Sequence, residues 1–181
     1  MGGNMKEVLL NTINRLYGKG DFQYILTKYI DKDYWVSEFS DKVEQIFIDN
    51  LTDFSYSKCF SYFIQSSLSM NFRIGSDEFK EYLKENHELT GVMVLISLIA
   101  PYSVVKYVRY NYNDGAIQIH ESNSPLNKET ERINLRILDI LNNNGIRTLE
   151  ESILNVLVPN ISLELKEEEV TIFNCLFEDC Y

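Results

Sequence analysis

One uncharged segment limits what this chain can fold into more than any other feature. The segment Leu89–Val105, LTGVMVLISLIAPYSVV, runs for 17 residues without a charge in a chain whose formal net charge is -10. A membrane-spanning helix needs about 20 apolar residues, and Pro101 interrupts this shorter run. Val and Ile are frequent in it, and both favour strands. We therefore predict two buried strands, Gly91–Ile99 and Val104–Tyr112, with a ligand pocket beside them as the alternative.

Apolar residues at helical spacing predict helices on both sides of these strands. Asn4 and Asp21 are placed to cap the first two helices, and Gly18 and Gly20 lie at the turn of the resulting hairpin. Three further helices are predicted to begin at the caps Ser76, Ser124 and Thr148. The buried face of the second helix is predicted to contain Phe22, Ile25, Leu26, Tyr29 and Ile30.

The other segments favour strands, with some points left open. Tyr34–Phe39 is compatible with a strand, Val43–Asn50 with a helix or a strand, and residues 58–74 with one long strand or a strand pair. Asp114-Gly115 between alternating runs predicts a two-residue hairpin turn. The closing segment NISLELKEEEVTIFNCLF predicts two strands joined by an acidic turn.

This mixed order of helices and strands predicts an α+β fold. We expect residues 1–181 to form a single domain, with helices packed on a largely antiparallel sheet and a helical hairpin at the N-terminus. A chain of this length buries roughly 70% of its unfolded surface, so it needs no disulfide or metal to fold. A start at Met5 is the alternative, in which case residues 1–4 are an addition to the natural chain.

Net charge and cysteine content restrict the partners and the compartment. A net charge of -10 disfavours nucleic acid and anionic membranes as partners, since phosphates attract clustered Lys and Arg. The expected partner is a basic protein, which an acidic surface steers towards itself. The three cysteines form no CxxC pair, and the N-terminus contains no secretory signal. Both observations predict reduced thiols and a cytoplasmic protein.

Little in the sequence points to catalysis. Of the two histidines, His87 lies near a predicted helix end, and His120 precedes Glu121 on a predicted strand. Adjacent strand residues point to opposite faces, so His120 and Glu121 are not expected to act as a general-base pair. No nucleotide-binding, metal-binding or nucleophile motif occurs. We therefore predict a protein without enzymatic activity, cofactor or metal.

The acidic residues are concentrated at the C-terminal end. From Thr148 to Tyr181 the chain has eight acids and one base, Lys166, which gives a balance of -7. One interpretation is a solvated hairpin tip, and the other is a surface that binds a basic partner through acids and aromatic anchors. The residues predicted for such a surface are Glu164, Glu167, Glu168, Glu169, Phe177, Glu178, Asp179 and Tyr181.

The later half of the chain, from LISLIAPYSVVKYVRYNYNDG to VPNISLELKEEEVTIFNCLFEDCY, also resembles a known class of proteins. It is similar to the small, acidic, cytoplasmic immunity proteins encoded beside bacterial polymorphic or contact-dependent toxins. The resemblance is in the Tyr-rich single domain, the apolar strand broken by AP and the closing VTIFNCLF with its acidic tail. It implies tight binding of a cognate toxin, whose active site or essential surface is blocked.

Two other functions compete with this hypothesis. The first is a small enzyme or ligand-binding domain with an aromatic-lined pocket. The second is a structural or regulatory subunit that hides exposed aromatic residues by self-association. The sequence leaves the identity of the toxin and the oligomeric state open.

Overall fold

An antiparallel meander of five strands forms the centre of the fold in the computed structural model. The structure describes residues 4–28, 31–55, 57–67, 72–86 and 88–179. The strands are β1 (Ile46–Asn50), β2 (Cys59–Ser66), β3 (Glu88–Ser97), β4 (Tyr102–Asn113) and β5 (Ala116–Ser122), in that order across the sheet. A sixth strand, β6 (Arg147–Thr148), pairs in parallel with the start of β4. The uncharged segment therefore lies in β3 and β4, as predicted.

The helices lie before, between and after the strands, which makes the chain a single α+β domain. The helices assigned in the described residues are α1 (Met5–Ile13), α2 (Gln23–Lys28), α3 (Lys32–Lys42), α4 (Asp77–Asn86), α5 (Lys128–Asn143), α6 (Glu151–Leu154) and α7 (Ile172–Leu176). A π-helical turn, Asn14–Gly18, extends α1. Among these helices, none has the length and apolar character needed to cross a membrane.

One face of the sheet is covered by α3 and α5. Trp35 and Phe39, one turn apart on α3, pack against Tyr62 of β2 together with Ile133 and Ile137 of α5. Phe39 contacts the Tyr62 ring edge-on, with centroids 5.9 Å apart. Large apolar side chains on both helices and on alternate strand residues form one continuous core.

The opposite face of the sheet is covered at its two ends by different elements. At one end, Leu9 and Ile13 of α1 pack with Leu176 of α7 over the starts of β2 and β4. At the other end, Phe79 and Leu83 of α4 pack over the aromatic residues of β2 and β4. The middle of this face lies between α1 and α7 at one end and α4 at the other.

Several local predictions are confirmed. Asn4 caps α1, and the Ser76 hydroxyl accepts a hydrogen bond from the Phe79 N–H at 3.1 Å, as expected for a cap of α4. The Asp114-Gly115 turn joins β4 to β5. The glycine turn after the first helix is also present, and Gly20 has a φ of 65° that side chains disfavour.

Two predictions about the first half of the chain need correction, and two segments that were left open are now assigned. Tyr34–Phe39 is helical, because Trp35 and Phe39 lie on the buried face of α3. Val43–Asn50, left open, contains strand β1. Leu26, predicted to be buried, is 82% exposed, and Tyr29 and Ile30 lie outside the described residues. Of residues 58–74, only Cys59–Ser66 is assigned as a strand in the described part.

The second half also differs from the prediction at three places. Helix α5 is capped by Asn127, which forms a capping box with Thr130, rather than by Ser124. Thr148 lies in β6 and its hydroxyl hydrogen-bonds Ser103 at 2.9 Å, so it does not cap α6. The closing strand pair is absent from the described residues: Ile172–Leu176 is helix α7.

Candidate functional site

The predicted acidic hairpin is instead a loop of residues 158–170, called the acidic loop below. Its ends are joined, since the Val158 N–H donates to the Val170 carbonyl at 2.8 Å and the Ile172 N–H donates to the Val156 carbonyl at 3.0 Å. Val158, Leu163 and Val170 are buried and anchor the loop to the core. Closed ends and an internal packing core are the features of an Ω-loop, a frequent binding element.

The tip of the acidic loop presents an apolar side chain beside a carboxylate. Leu163 and Lys166 exchange two backbone hydrogen bonds, of 2.9 and 3.3 Å, across a two-residue turn. Glu164 and Leu165 therefore project from this turn, and the Leu165 residue is 53% exposed. Because Leu163 is held in the core, the tip is fixed relative to the sheet.

Two shallow grooves flank the acidic loop and share Ser162. One, of about 480 Å³, lies between the loop tip, Phe54 and Asp179. The other, of about 650 Å³, is lined by Glu167, Glu168 and Glu169 and by Leu157 and Pro159. Leu157 is 59% exposed and Phe54 is 46% exposed. The grooves thus combine exposed apolar residues with carboxylates.

The charge of this surface comes from four glutamates. Glu164, Glu167, Glu168 and Glu169 are exposed, and none takes part in an ion pair formed between described residues. Asp179, by contrast, is paired with Lys58. Of the predicted acidic residues near the grooves, the four glutamates form no ion pair with described residues, whereas Asp179 is neutralised by Lys58.

Two other predicted site residues lie elsewhere. Phe177 is fully buried and stacks on Phe173 with ring centroids 5.4 Å apart, so its prediction as an aromatic anchor of the surface is wrong. Its apolar ring fills the core beneath α7 instead. Glu178 lines a cavity on the face of the sheet rather than the two grooves. Tyr181 lies outside the described residues.

The exposed apolar residues of this surface were missed by the sequence reasoning. Leu165 stands among charged residues in LELKEEE, which is the one local signal that could have identified it. Phe54 is more than 100 positions away from Leu165 in the chain. Only the tertiary structure brings Phe54 next to the acidic loop.

A small cavity lies against the face of the sheet, beside Phe173 of α7. It measures about 130 Å³, and three residues of the uncharged segment line it: Met93, Leu95 and Val104. Its charged residues are Lys106, Glu121 and Glu178. The Lys106 ammonium is ion-paired with Glu121. Ligand pockets usually measure about 300–1,000 Å³, so this cavity suits only a ligand of a few atoms.

Burial and a neighbouring carboxylate both act on Glu178. Burial raises the pKa of its carboxyl, and Glu121 raises it further, while Lys58 acts in the opposite direction. The carboxyl therefore holds its proton to a higher pH than an exposed glutamate. The cavity combines one lysine with two carboxyls of unequal environment, an arrangement found both in ligand sites and in solvated ion-pair clusters.

The remaining candidate residues offer no catalytic arrangement in the described part of the chain. His120 is exposed and lies on the opposite face of β5 from Glu121. Cys59 and Cys175 are free, and burial raises the pKa of each thiol to about 12. His87 and Cys180 lie outside the described residues. Among the residues described, no three His, Cys, Asp or Glu side chains are grouped to hold a metal.

Three comparisons were made with known proteins. No protein-family model, curated protein or solved structure matches this chain. A functional proposal for this chain therefore rests on its own surface and cavities.

Replacing Glu178 with Gln is expected to stabilise the fold near neutral pH. A carboxyl whose pKa is higher in the folded state than its unfolded value of 4.5 costs stability once both states are ionised. That cost is absent below the unfolded pKa and develops as pH rises. The thermal midpoint of Glu178→Gln should exceed that of the parent protein at pH 7, and the difference should shrink towards pH 4.

Differential scanning calorimetry across this pH range measures the effect. Glu168→Gln is the matched control, because it removes one exposed carboxylate. A Glu178→Gln advantage that is equal at pH 4 and pH 7 would contradict the assignment.

Proposed function

We propose that this chain is a non-enzymatic, cytoplasmic binding protein that neutralises a cognate, basic bacterial toxin through the acidic loop. The observation that carries the proposal is a combination of charge and apolar surface. Four glutamates of the anchored acidic loop form no ion pair with other described residues, Leu165 at its tip is exposed, and exposed Leu157 lines the adjacent groove. Carboxylates accelerate the approach of a basic partner. Apolar side chains that become buried in the complex then slow its dissociation.

The rigidity of the loop supports a binding role over a solvated hairpin tip. A surface that is already ordered loses less conformational entropy when it binds. The joined ends and the buried Leu163 provide that order. The resemblance to immunity proteins indicates that the partner is a bacterial toxin. The acidic charge of the loop indicates that this partner is basic.

The cavity beside Lys106 is the observation that favours the ligand-binding alternative. Its described lining has one aromatic residue, Phe173, whereas that alternative expected a pocket rich in Tyr and Phe. Its volume of about 130 Å³ also restricts the ligand to a few atoms. The acidic loop is therefore the better supported site.

Charge reversal on the acidic loop should slow association with the toxin. We expect Glu167→Lys/Glu168→Lys to lower the association rate constant by about tenfold at low salt, since rim charges act mainly on association. The loss should diminish at high salt, where charges are screened. Surface plasmon resonance with a catalytically inactive toxin domain, taken from the neighbouring reading frame, measures both rates.

The matched control reverses two exposed glutamates on α4. Glu78→Lys/Glu85→Lys changes the net charge equally, but these residues lie outside the acidic loop. A second pair tests the apolar anchor: Leu165→Ala should raise the dissociation rate about tenfold, and Leu135→Ala, at a residue 57% exposed on α5, should not. Growth rescue on co-expression with the active toxin tests neutralisation itself. Equal effects of both charge pairs, or no rescue by the parent protein, would refute the proposal.

A further inference from the structure

Strand β5 forms an edge of the sheet to which no strand of the described residues is added. It pairs with β4 from Tyr107↔Ser122 to Asn113↔Ala116 without a bulge, and no other described strand pairs with it. Its sequence, AIQIHES, contains neither Lys nor Pro. Bulges, lysines and prolines are the usual devices that prevent edge strands from pairing with other chains. This edge therefore lacks these three protections, and its one acidic residue, Glu121, is exposed rather than buried.

The opposite edge strand, β1, is different. Its acidic residue Asp49 is buried, and the side chain accepts a hydrogen bond of 2.6 Å from the Ile74 N–H. An inward-pointing charged residue is one of the protective devices of edge strands. The two edges of the sheet thus differ in their capacity to accept a further strand.

The hairpin turn determines which backbone groups of β5 point outwards. Asp114 and Gly115 have φ angles of 50° and 84°, as in a two-residue type I′ turn. The flanking pair Asn113 and Ala116 then hydrogen-bonds across the hairpin. Because this pattern alternates along a strand, the N–H and C=O groups of Ile117 and Ile119 point away from β4.

We propose that β5 pairs with β5 of a second copy of this chain, antiparallel and related by a two-fold axis at Gln118. Ile117 of each copy then lies opposite Ile119 of the other, and the two pairs form about four backbone hydrogen bonds. The two five-strand meanders become one continuous sheet. This inference is independent of the acidic loop and of the identity of any toxin.

Apolar matching supports a second copy in this register. Ile119 is 60% exposed and lies beside Tyr110 of β4, and Ile117 lies beside Tyr112 on the same face. Pairing Ile117 with Ile119 joins these side chains into apolar rows that cross the interface. Cross-strand contacts of aromatic and β-branched residues stabilise adjacent strands.

The local charge also permits two copies to approach, although each has a net charge of -10. β5 contains a single carboxylate, Glu121, and Lys106 is ion-paired with it. In the proposed register Glu121 lies opposite Gly115 of the other copy, so no carboxylates face each other. One strand pair buries a small area, so we expect a dissociation constant in the micromolar range.

Analytical ultracentrifugation from micromolar to millimolar concentration tests the dimer. Ile119→Pro removes an outward N–H and leaves the hydrogen bonds to β4 in place, and Ile119→Lys places like charges at the interface. Each should raise the dissociation constant at least about tenfold, with the monomer's circular dichroism unchanged. A parent protein that stays monomeric at millimolar concentration would overturn the proposal.

Disulfide trapping tests the register. In a Cys180→Ser background, Gln118→Cys places two thiols opposite each other at the two-fold axis, where facing Cβ atoms are about 4.5–5.5 Å apart. It should form a covalent dimer under mild oxidation. His120→Cys is the control, because its neighbour in the other copy would be Ala116. Equal or faster trapping of His120→Cys, or no trapping of Gln118→Cys, would contradict the proposed pairing.

Discussion

Alanine at position 91 is expected to destabilise the fold by about 3 kcal/mol, because overpacking of a filled core costs roughly 1–3 kcal/mol and sometimes more. A Cβ added to Gly91 would lie 2.5 Å from Cζ of Phe63 and 2.7 Å from the backbone oxygen of Ile64. The Phe63 ring is fully buried and packs edge-on against Tyr110 at 5.3 Å. Neither the ring nor the strand backbone can move away without disturbing β2.

Urea unfolding followed by circular dichroism measures this loss. Gly18→Ala is the matched control, since an added Cβ at that residue has no atom within 4 Å, and its effect should stay within about 0.5 kcal/mol. Adding Phe63→Leu to Gly91→Ala should restore part of the stability, because it removes the ring but not the Ile64 oxygen. A Gly91→Ala variant as stable as Gly18→Ala would refute the close packing of β2 and β3.

Removal of the Asn174 side chain is expected to cost a similar amount, on the order of 3 kcal/mol, because each buried polar group left unpaired costs about 1–3 kcal/mol. Asn174 is fully buried. Its Oδ1 accepts hydrogen bonds from the N–H and hydroxyl of Thr171, at 3.0 and 2.8 Å. Its Nδ2 donates to the carbonyl of Glu178 at 3.1 Å. One side chain thus joins the start of α7 to the segment that follows it.

Besides lowering the free energy of unfolding, Asn174→Ala should loosen the segment that follows α7. The Lys58 N–H donates to the Phe177 carbonyl at 2.7 Å, and this amide should lose hydrogen-exchange protection in the variant. Asn155→Ala, at an exposed asparagine, is the control for chemical unfolding. Unchanged exchange at Lys58 together with a stability loss below 1 kcal/mol would show that the segment after α7 is held by other contacts.

The parts of the fold that could be predicted are those with signals inside a few residues. Asp114-Gly115 identifies its hairpin because the turn needs two positive φ angles, which few residues accept. Ser76 identifies the start of α4 because its hydroxyl caps an N–H three residues later. The uncharged segment identifies β3 and β4 because Val and Ile favour strands, Pro101 divides the run in two, and strands covered on both faces are apolar throughout.

The errors lie in short or fully buried elements. Helix α7 has five residues, all buried, so no periodicity separates it from the strand suggested by VTIFNCLF. Its capping box, Thr171 with Asn174, was the local signal that pointed the other way. β6 has only two residues and exists because β4 leaves hydrogen-bonding groups at its edge. A strand of two residues is too short to show a hydrophobic periodicity in the sequence.

The candidate site shows the same difference between properties that are local in sequence and properties that depend on packing. The amino-acid sequence alone determined the fold class, the buried strand pair and the concentration of carboxylates near the C-terminus, since composition and local spacing carry those properties. Only the tertiary structure decided which carboxylates stay exposed, that Phe177 is buried and that Phe54 lies beside Leu165. These outcomes depend on contacts between residues far apart in the chain, and such contacts form only when the sheet and its helices are packed together.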